Sequence, residues 1–225
     1  MTTTEHAPTT IAASLPAEIS APSESVDLDA RGQAYLLDAI AISRRDYFRH
    51  NCPADYQEFD PAKLERMTGN EAAIQRVLGW QHARKGLLLS GPSRRGKTRS
   101  AYALCRRLLC DELRDVAMWQ AHDFFAALQD CVRYGRDEAD GWVKRMSARP
   151  VFFLDDLGQH AVLASRADWA EAWFFRFLDL RIGAGLPLIV TTNLTAQEMN
   201  QGAGDIRGNP LVARFLELAD PVRFV

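Results

Sequence analysis

The chain has 225 residues, 47% hydrophobic and 25% charged, with a formal net charge of −2. That length holds one well-buried domain and not two large ones, and a molecule of this charge meets nucleic acid only through a local basic patch. No apolar run approaches a membrane span, so no membrane partner is expected; the longest, such as Leu87–Leu89 and Leu186–Val190, are strand-sized.

The opening MTTTEHAPTT lacks a basic segment leading into an apolar one. It does not resemble a secretory signal, and a cytoplasmic location is expected. Residues 1–30 are rich in Thr, Ala, Ser and Pro without periodicity, which reads as a flexible tail. From Gln33 to about His50 the pattern turns helical, with Leu36, Ile40 and Tyr47 near one face, and Pro53 stops it. Residues 31–64 therefore form a helical N-terminal extension and a candidate partner dock, although a helix packed on its own core is as good a reading. A second helix is expected from Asn70 to about Arg84.

Beyond it, apolar runs at Gly86–Ser90, Val116–Ala121, Val151–Asp156, Pro187–Asn193 and Pro221–Val225 are strand candidates. Helical patterns fill the gaps at Lys97–Cys110, Asp123–Tyr134, Asp168–Ile182 and Pro210–Leu218, the last announced by Asn209 and Pro210 as N-cap and first residue. Continuous apolar strands alternating with helices specify an α/β domain, its parallel sheet covered by helices on both faces. The four cysteines, Cys52, Cys105, Cys110 and Cys131, show no metal-ligand spacing, so reduced thiols and no zinc site are expected.

The strongest signal is Gly91-Pro92-Ser93-Arg94-Arg95-Gly96-Lys97-Thr98, between a strand and a helix. This is a P-loop, whose backbone N–H groups and helix N-terminus cradle phosphates. Gly91 and Gly96 permit the turn, Lys97 reaches the β- and γ-phosphates, and the Thr98 hydroxyl ligates Mg²⁺. The expected ATP contacts run from Gly91 through Arg99. The run Val151-Phe152-Phe153-Leu154-Asp155-Asp156 is a buried strand ending in carboxylates, which need a cation. Asp155 is assigned to the Mg²⁺ and Asp156 to polarising the attacking water; such a strand end is commonly structural, and the P-loop upstream is what makes it specific. The strand Leu188–Val190 runs into Thr191-Thr192-Asn193, where Asn193, or Thr192 beside it, would orient the water.

Arg207 and Arg214 are candidates for an arginine finger donated to a neighbour's γ-phosphate, Arg214 the better placed and Arg181 a weaker third. Trp169, Trp173, Phe174, Phe175 and Phe177 suggest a base-stacking platform at first sight, but helical spacing makes them core. The pair Arg94-Arg95 is a candidate nucleic-acid contact, and Arg106-Arg107 reads as a solvated face.

With these residues in hand, roughly residues 65–225 resemble AAA+ ATPases of the helicase-loader group, which contains the DnaC-type helicase loaders and the IstB-type transposition helpers. The resemblance rests on the P-loop, on VFFLDDLG with its second Asp where many relatives carry Glu, and on LDLRIGAGLPLIVTTNL. It implies a five-stranded sheet of order 5-1-4-3-2, ATP-dependent assembly into homo-oligomers, and single-stranded DNA contacts, with Arg214 in the finger region. Three departures stand out. Arg94 and Arg95 replace a glycine and a small residue of the usual loop. The sequence ends on the expected last strand, so no C-terminal lid is expected and basal hydrolysis should be weak. No cysteine-rich N-terminal module precedes the ATPase domain, leaving the 33–50 helix or the tail to dock a partner.

The expectation is thus an ATPase of DNA metabolism, loading a replicative helicase. Three alternatives stand beside it: a helper acting on a transposase, a small-molecule or nucleotide kinase, and a nucleotide-dependent adaptor that does not hydrolyse.

Overall fold

The computed structural model describes residues 30–58, 69–158, 168–194 and 210–225. The tail up to residue 29, Arg207 and Asn209 lie outside the described residues. In chain order the elements are α1 (Ala30–Asn51), α2 (Ala54–Gln57), α3 (Glu71–Leu78), β1 (Gly86–Ser90), α4 (Lys97–Arg106) running into a π-helical turn (Arg107–Asp111), and β2 (Val116–Gln120). There follow α5 (Ala121–Tyr134), α6 (Arg136–Ser147), β3 (Val151–Asp155), α7 (Asp168–Ala184), β4 (Leu188–Thr192), α8 (Pro210–Leu218) and β5 (Ala219–Arg223). Two compact units divide between Ala39 and Ile40, within α1. In the first, residues 30–39 are helical, with Tyr35, Leu36 and Leu37 exposed. The second holds the sheet.

The five strands lie in the order β2-β3-β4-β1-β5, and every pair is parallel. Read in the other direction this is the expected 5-1-4-3-2. Because successive strand side chains point to opposite faces, each apolar run divides between two cores. Leu88, Phe152, Leu154, Leu188 and Val190 join Phe124 and Leu128 of α5, Trp142, Val143 and Met146 of α6, Phe174, Phe177 and Leu178 of α7 and Phe215 of α8. Leu87, Leu89, Val151, Phe153 and Ile189 face the other way, against Phe48 of α1, Ile74 and Val77 of α3 and Ala101, Tyr102, Leu104 and Cys105 of α4. Each fully buried side chain of this size contributes roughly 1.5–3 kcal/mol. The expected aromatic core is present: Phe174 and Phe177 are fully buried, with Trp169, Trp173 and Phe175 packed against them.

The two edge strands are covered. Tyr47, in the second half of α1, accepts a hydrogen bond from the outward N–H of Met118 in β2 (3.0 Å), and Arg44 pairs with Asp115 just before that strand (2.8 Å). On the opposite edge, Pro221 of β5 has no N–H to offer and its carbonyl accepts from Arg76 of α3 (3.0 Å). The Asn70 side chain donates to Val225 O (2.9 Å) and accepts from Val225 N (2.7 Å).

Four differences from the sequence reading have physical causes. Helix α3 stops at Leu78 rather than Arg84, because the N–H groups of Gly79 and Trp80 close the last turn onto Gln75 O and Val77 O. Helix α6 was not anticipated: it is highly charged, and its buried apolar residues are only Ala139, Trp142, Val143 and Met146. Strand β5 starts two residues early, at Ala219, with no loop after α8. Arg107 is not part of a solvated face, since it pairs with Glu112 and donates to Trp80 O.

Arg181 is a fifth correction. It is fully buried, donating to Ser147 O (3.0 Å), Arg149 O (2.8 Å) and Pro187 O, above the rings of Phe152 and Phe177. Burial pulls its guanidinium down to about 9, so it stays charged at neutral pH. It ties the end of α6 and the chain entering β3 to the start of β4, and no neighbour's phosphate reaches it.

Candidate nucleotide site

The site lies where β1, β3 and β4 end. Strand β1 delivers Ser90 into the loop, and Gly91 takes a φ of +134°. A Cβ there would stand 2.1 Å from Phe224 O, so only glycine fits between the loop and the chain leaving β5. Gly96 (φ +98°) precedes α4, and its carbonyl accepts from both the backbone N (2.9 Å) and the hydroxyl (2.8 Å) of Ser100. Pro92, Ser93, Arg94 and Arg95 are exposed at the crest of the loop. Arg94 has a φ of +62°, the left-handed conformation in which a glycine is at ease.

Lys97 is 5% exposed, and its ammonium donates to Gly91 O (2.8 Å), Pro92 O (2.6 Å) and Asn193 Oδ1 (2.9 Å). Burial lowers its pKa, an effect that the charges of Asp156 and Asp155 oppose. Asn193, just past β4, donates through Nδ2 to Asp156 Oδ1 (3.1 Å). Lys97, Asn193 and Asp156 are thus one hydrogen-bonded chain.

Asp155 ends β3 and is 5% exposed. Its Oδ1 accepts from the Thr98 hydroxyl (3.1 Å) and the Thr191 hydroxyl (2.5 Å). Burial raises the pKa of this carboxyl; the two hydroxyls oppose that and the nearby Asp156 adds to it. Asp156 itself has a φ of +55°, which aspartate tolerates better than most residues. Thr192, the alternative to Asn193, is buried, donating to Leu157 O (2.6 Å) and accepting from Leu194 N (3.1 Å). Its hydroxyl is engaged within the fold.

The remaining candidates lie apart from this cluster. Arg99 donates to Asp55 O (3.3 Å), its guanidinium 5.1 Å above the Tyr56 ring. Arg214, on α8, is held by Asp179 of α7 (2.6 and 3.2 Å) and lies 4.6 Å over Phe175. Thr191 was missed by the sequence reading; its only signal there is a polar residue ending an otherwise apolar strand.

The donor set suits Mg²⁺ and a phosphate chain. Thr98 directs its proton to Asp155 and keeps oxygen lone pairs for a hard cation, which prefers oxygen ligands such as these two residues offer. Lys97, buried beside glycine-bounded backbone, is a fixed positive charge at a helix N-terminus.

The fold and this arrangement define the P-loop architecture of the AAA+ type. Among solved structures, the chain is similar to a DnaC helicase loader (TM-score 0.57, 19% identity, covering 80% of this chain and 99% of that one). It is also similar to DnaI (TM-score 0.51, 20% identity, 75% and 83%). AMPPCP-bound DnaA from Aquifex aeolicus shares the fold as well (TM-score 0.54, 18% identity), the match spanning 70% of this chain and 47% of DnaA. No family model matches the sequence, and no curated protein does.

Proposed function

We propose that this chain is an ATPase of DNA metabolism that binds ATP with Mg²⁺ and serves as a helicase loader on single-stranded DNA. The observation that carries the chemistry is the convergence of Lys97, Asn193 and Asp156 in one hydrogen-bonded chain beside the Thr98–Asp155 pair. Lys97 and the backbone from Gly91 to Arg99 hold the phosphates; Thr98 and Asp155 hold the cation, which supplies charge neutralisation at the phosphates when bound. Asp156 draws a proton from the attacking water and Asn193 fixes that carboxylate's direction. Arg214 acts on the site of a neighbouring copy in an ATP-dependent assembly, after exchanging Asp179 for phosphate.

The loader role is supported by the structural likeness to the DnaC loader and to DnaI, over most of both chains. The extension of residues 31–64 is the proposed dock for the helicase, its exposed Tyr35, Leu36 and Leu37 offering apolar contact area. The test pairs two variants. Lys97→Ala should abolish ATP binding, while Asp156→Asn should retain binding and stall turnover. Asp156→Asn held with ATP should then capture a replicative helicase from source-cell extract. Capture of a transposase instead would move the same chemistry to transposition, and unchanged hydrolysis in Asp156→Asn would remove that residue's assigned role.

A further inference from the structure

The backbone pairing between β3 and β4 runs Phe152↔Leu188, Phe153↔Ile189 and Leu154↔Val190. One step further on, where the carboxylates begin, side chains hold the two strand ends together. Thr191 is 1% exposed, and its hydroxyl has one proton. Asp156 N–H donates to Thr191 Oγ1 (2.8 Å), so the hydroxyl accepts there and its proton goes to Asp155 Oδ1 (2.5 Å). That length is characteristic of a charge-assisted O–H···O⁻ bond. The backbone does the rest: Leu157 N donates to Thr191 O (2.9 Å). One side chain thus fixes the direction of Asp155 and pins Asp156 in its left-handed conformation (φ +55°).

We propose that Thr191 is a positioning residue of the ATPase site: it sets the direction of the magnesium-binding carboxylate and, through the backbone, the stance of the carboxylate that faces the water. This rests on the ATPase reading above. Asp155 meets two hydroxyls on the same oxygen, one from the P-loop helix and one from β4. Thr98 contributes to the cation directly; Thr191 touches neither cation nor phosphate and acts only through Asp155 and Asp156. Valine matches threonine in shape and β-branching but offers neither the proton to Asp155 nor the acceptor to Asp156 N–H.

The test measures binding of a fluorescent ATP analogue, N-methylanthraniloyl-ATP, to wild type, Thr191→Val and Thr191→Ser, each with Mg²⁺ and with EDTA. In EDTA, Thr191→Val should match wild type within about twofold, because Lys97 and the loop are unaltered. The tightening that Mg²⁺ brings should fall about tenfold or more, the usual cost of removing a hydrogen-bonding partner of a metal ligand. Thr191→Ser should restore it. A Thr191→Val protein that keeps the full magnesium effect, or that loses affinity equally in EDTA, overturns the proposal. If Thr191→Val does not fold, Thr191→Ser and Thr191→Ala decide: the serine must keep and the alanine must lose the magnesium effect, and any other pattern overturns it. Failure of wild type itself to bind the analogue sinks the ATPase reading, and this proposal with it.

Discussion

Removing the Asn193 side-chain amide should make the protein bind ADP more tightly. The Lys97 ammonium is satisfied by three acceptors within the chain, Gly91 O at 2.8 Å, Pro92 O at 2.6 Å and Asn193 Oδ1 at 2.9 Å. A phosphate must compete with these for the same protons. A hydrogen bond to a charged group contributes about 1.5–3 kcal/mol, and a tenfold change in affinity corresponds to about 1.4 kcal/mol. Lys97 is only 5% exposed, so water replaces a lost partner poorly. Asn193→Ala should therefore raise ADP affinity by about tenfold, while slowing ATP turnover because Asp156 loses its Nδ2 partner. ADP is the right probe because its binding is not followed by turnover. Asn193→Asp should do the reverse, gripping Lys97 with a full charge. Calorimetric titration with ADP measures both variants. Unchanged or weaker ADP binding in Asn193→Ala would refute the idea that Lys97 is held back by its own chain.

Asp155→Asn should raise the melting temperature of the metal-free protein at pH 7. Burial raises the Asp155 pKa, so the folded state keeps that proton to higher pH than the unfolded chain does. Stability then falls as pH rises through that window, and the gain from Asp155→Asn should vanish in acid, where both forms are neutral; thermal melts in EDTA across pH test this, and a lower melting point at pH 7 would contradict it. Arg181→Met should destabilise by about 3 kcal/mol, since the Ser147 and Arg149 carbonyls lose their donor, Pro187 O keeps only the Phe152 N–H, and loss of the buried charge offsets only part of that. Urea unfolding reads this, and Arg181→Lys should recover little because an ammonium cannot span the three acceptors. Asn70→Ala, which removes both bonds to Val225, should cost about 2 kcal/mol in the same assay.

What the sequence made legible was whatever depends on local chemistry. The runs Leu87–Leu89, Val151–Leu154 and Leu188–Val190 are apolar on both faces, so they read as central parallel strands, and they are β1, β3 and β4. Glycines and a lysine in fixed order specified the loop without reference to the rest of the chain. Helix α6 was illegible because its apolar residues, Ala139, Trp142, Val143 and Met146, are sparse among charges and follow Gly135. Arg181 read as a weak arginine-finger candidate and not as a buried anchor, since its partners are backbone carbonyls from Ser147, Arg149 and Pro187, which leave no trace in a side-chain pattern. Thr191 was passed over for the same reason: its importance comes from the residue that the neighbouring strand places opposite it, and that pairing exists only in three dimensions.

Both margins of the sheet are occupied, and this restricts how copies of the molecule can meet. The outward amide of Met118 is already bonded to Tyr47, while Pro221 lacks an amide and its carbonyl is taken by Arg76. Strands of two copies therefore have little with which to zip together, and contact between folded copies falls to helix faces and loop crests, joined by side chains that separate readily. The same arrangement makes the latter half of α1 a guard: were it to peel away, β2 would be bared as a template for cross-chain pairing. A truncation that removes Arg44 and Tyr47 should then make the protein prone to aggregate.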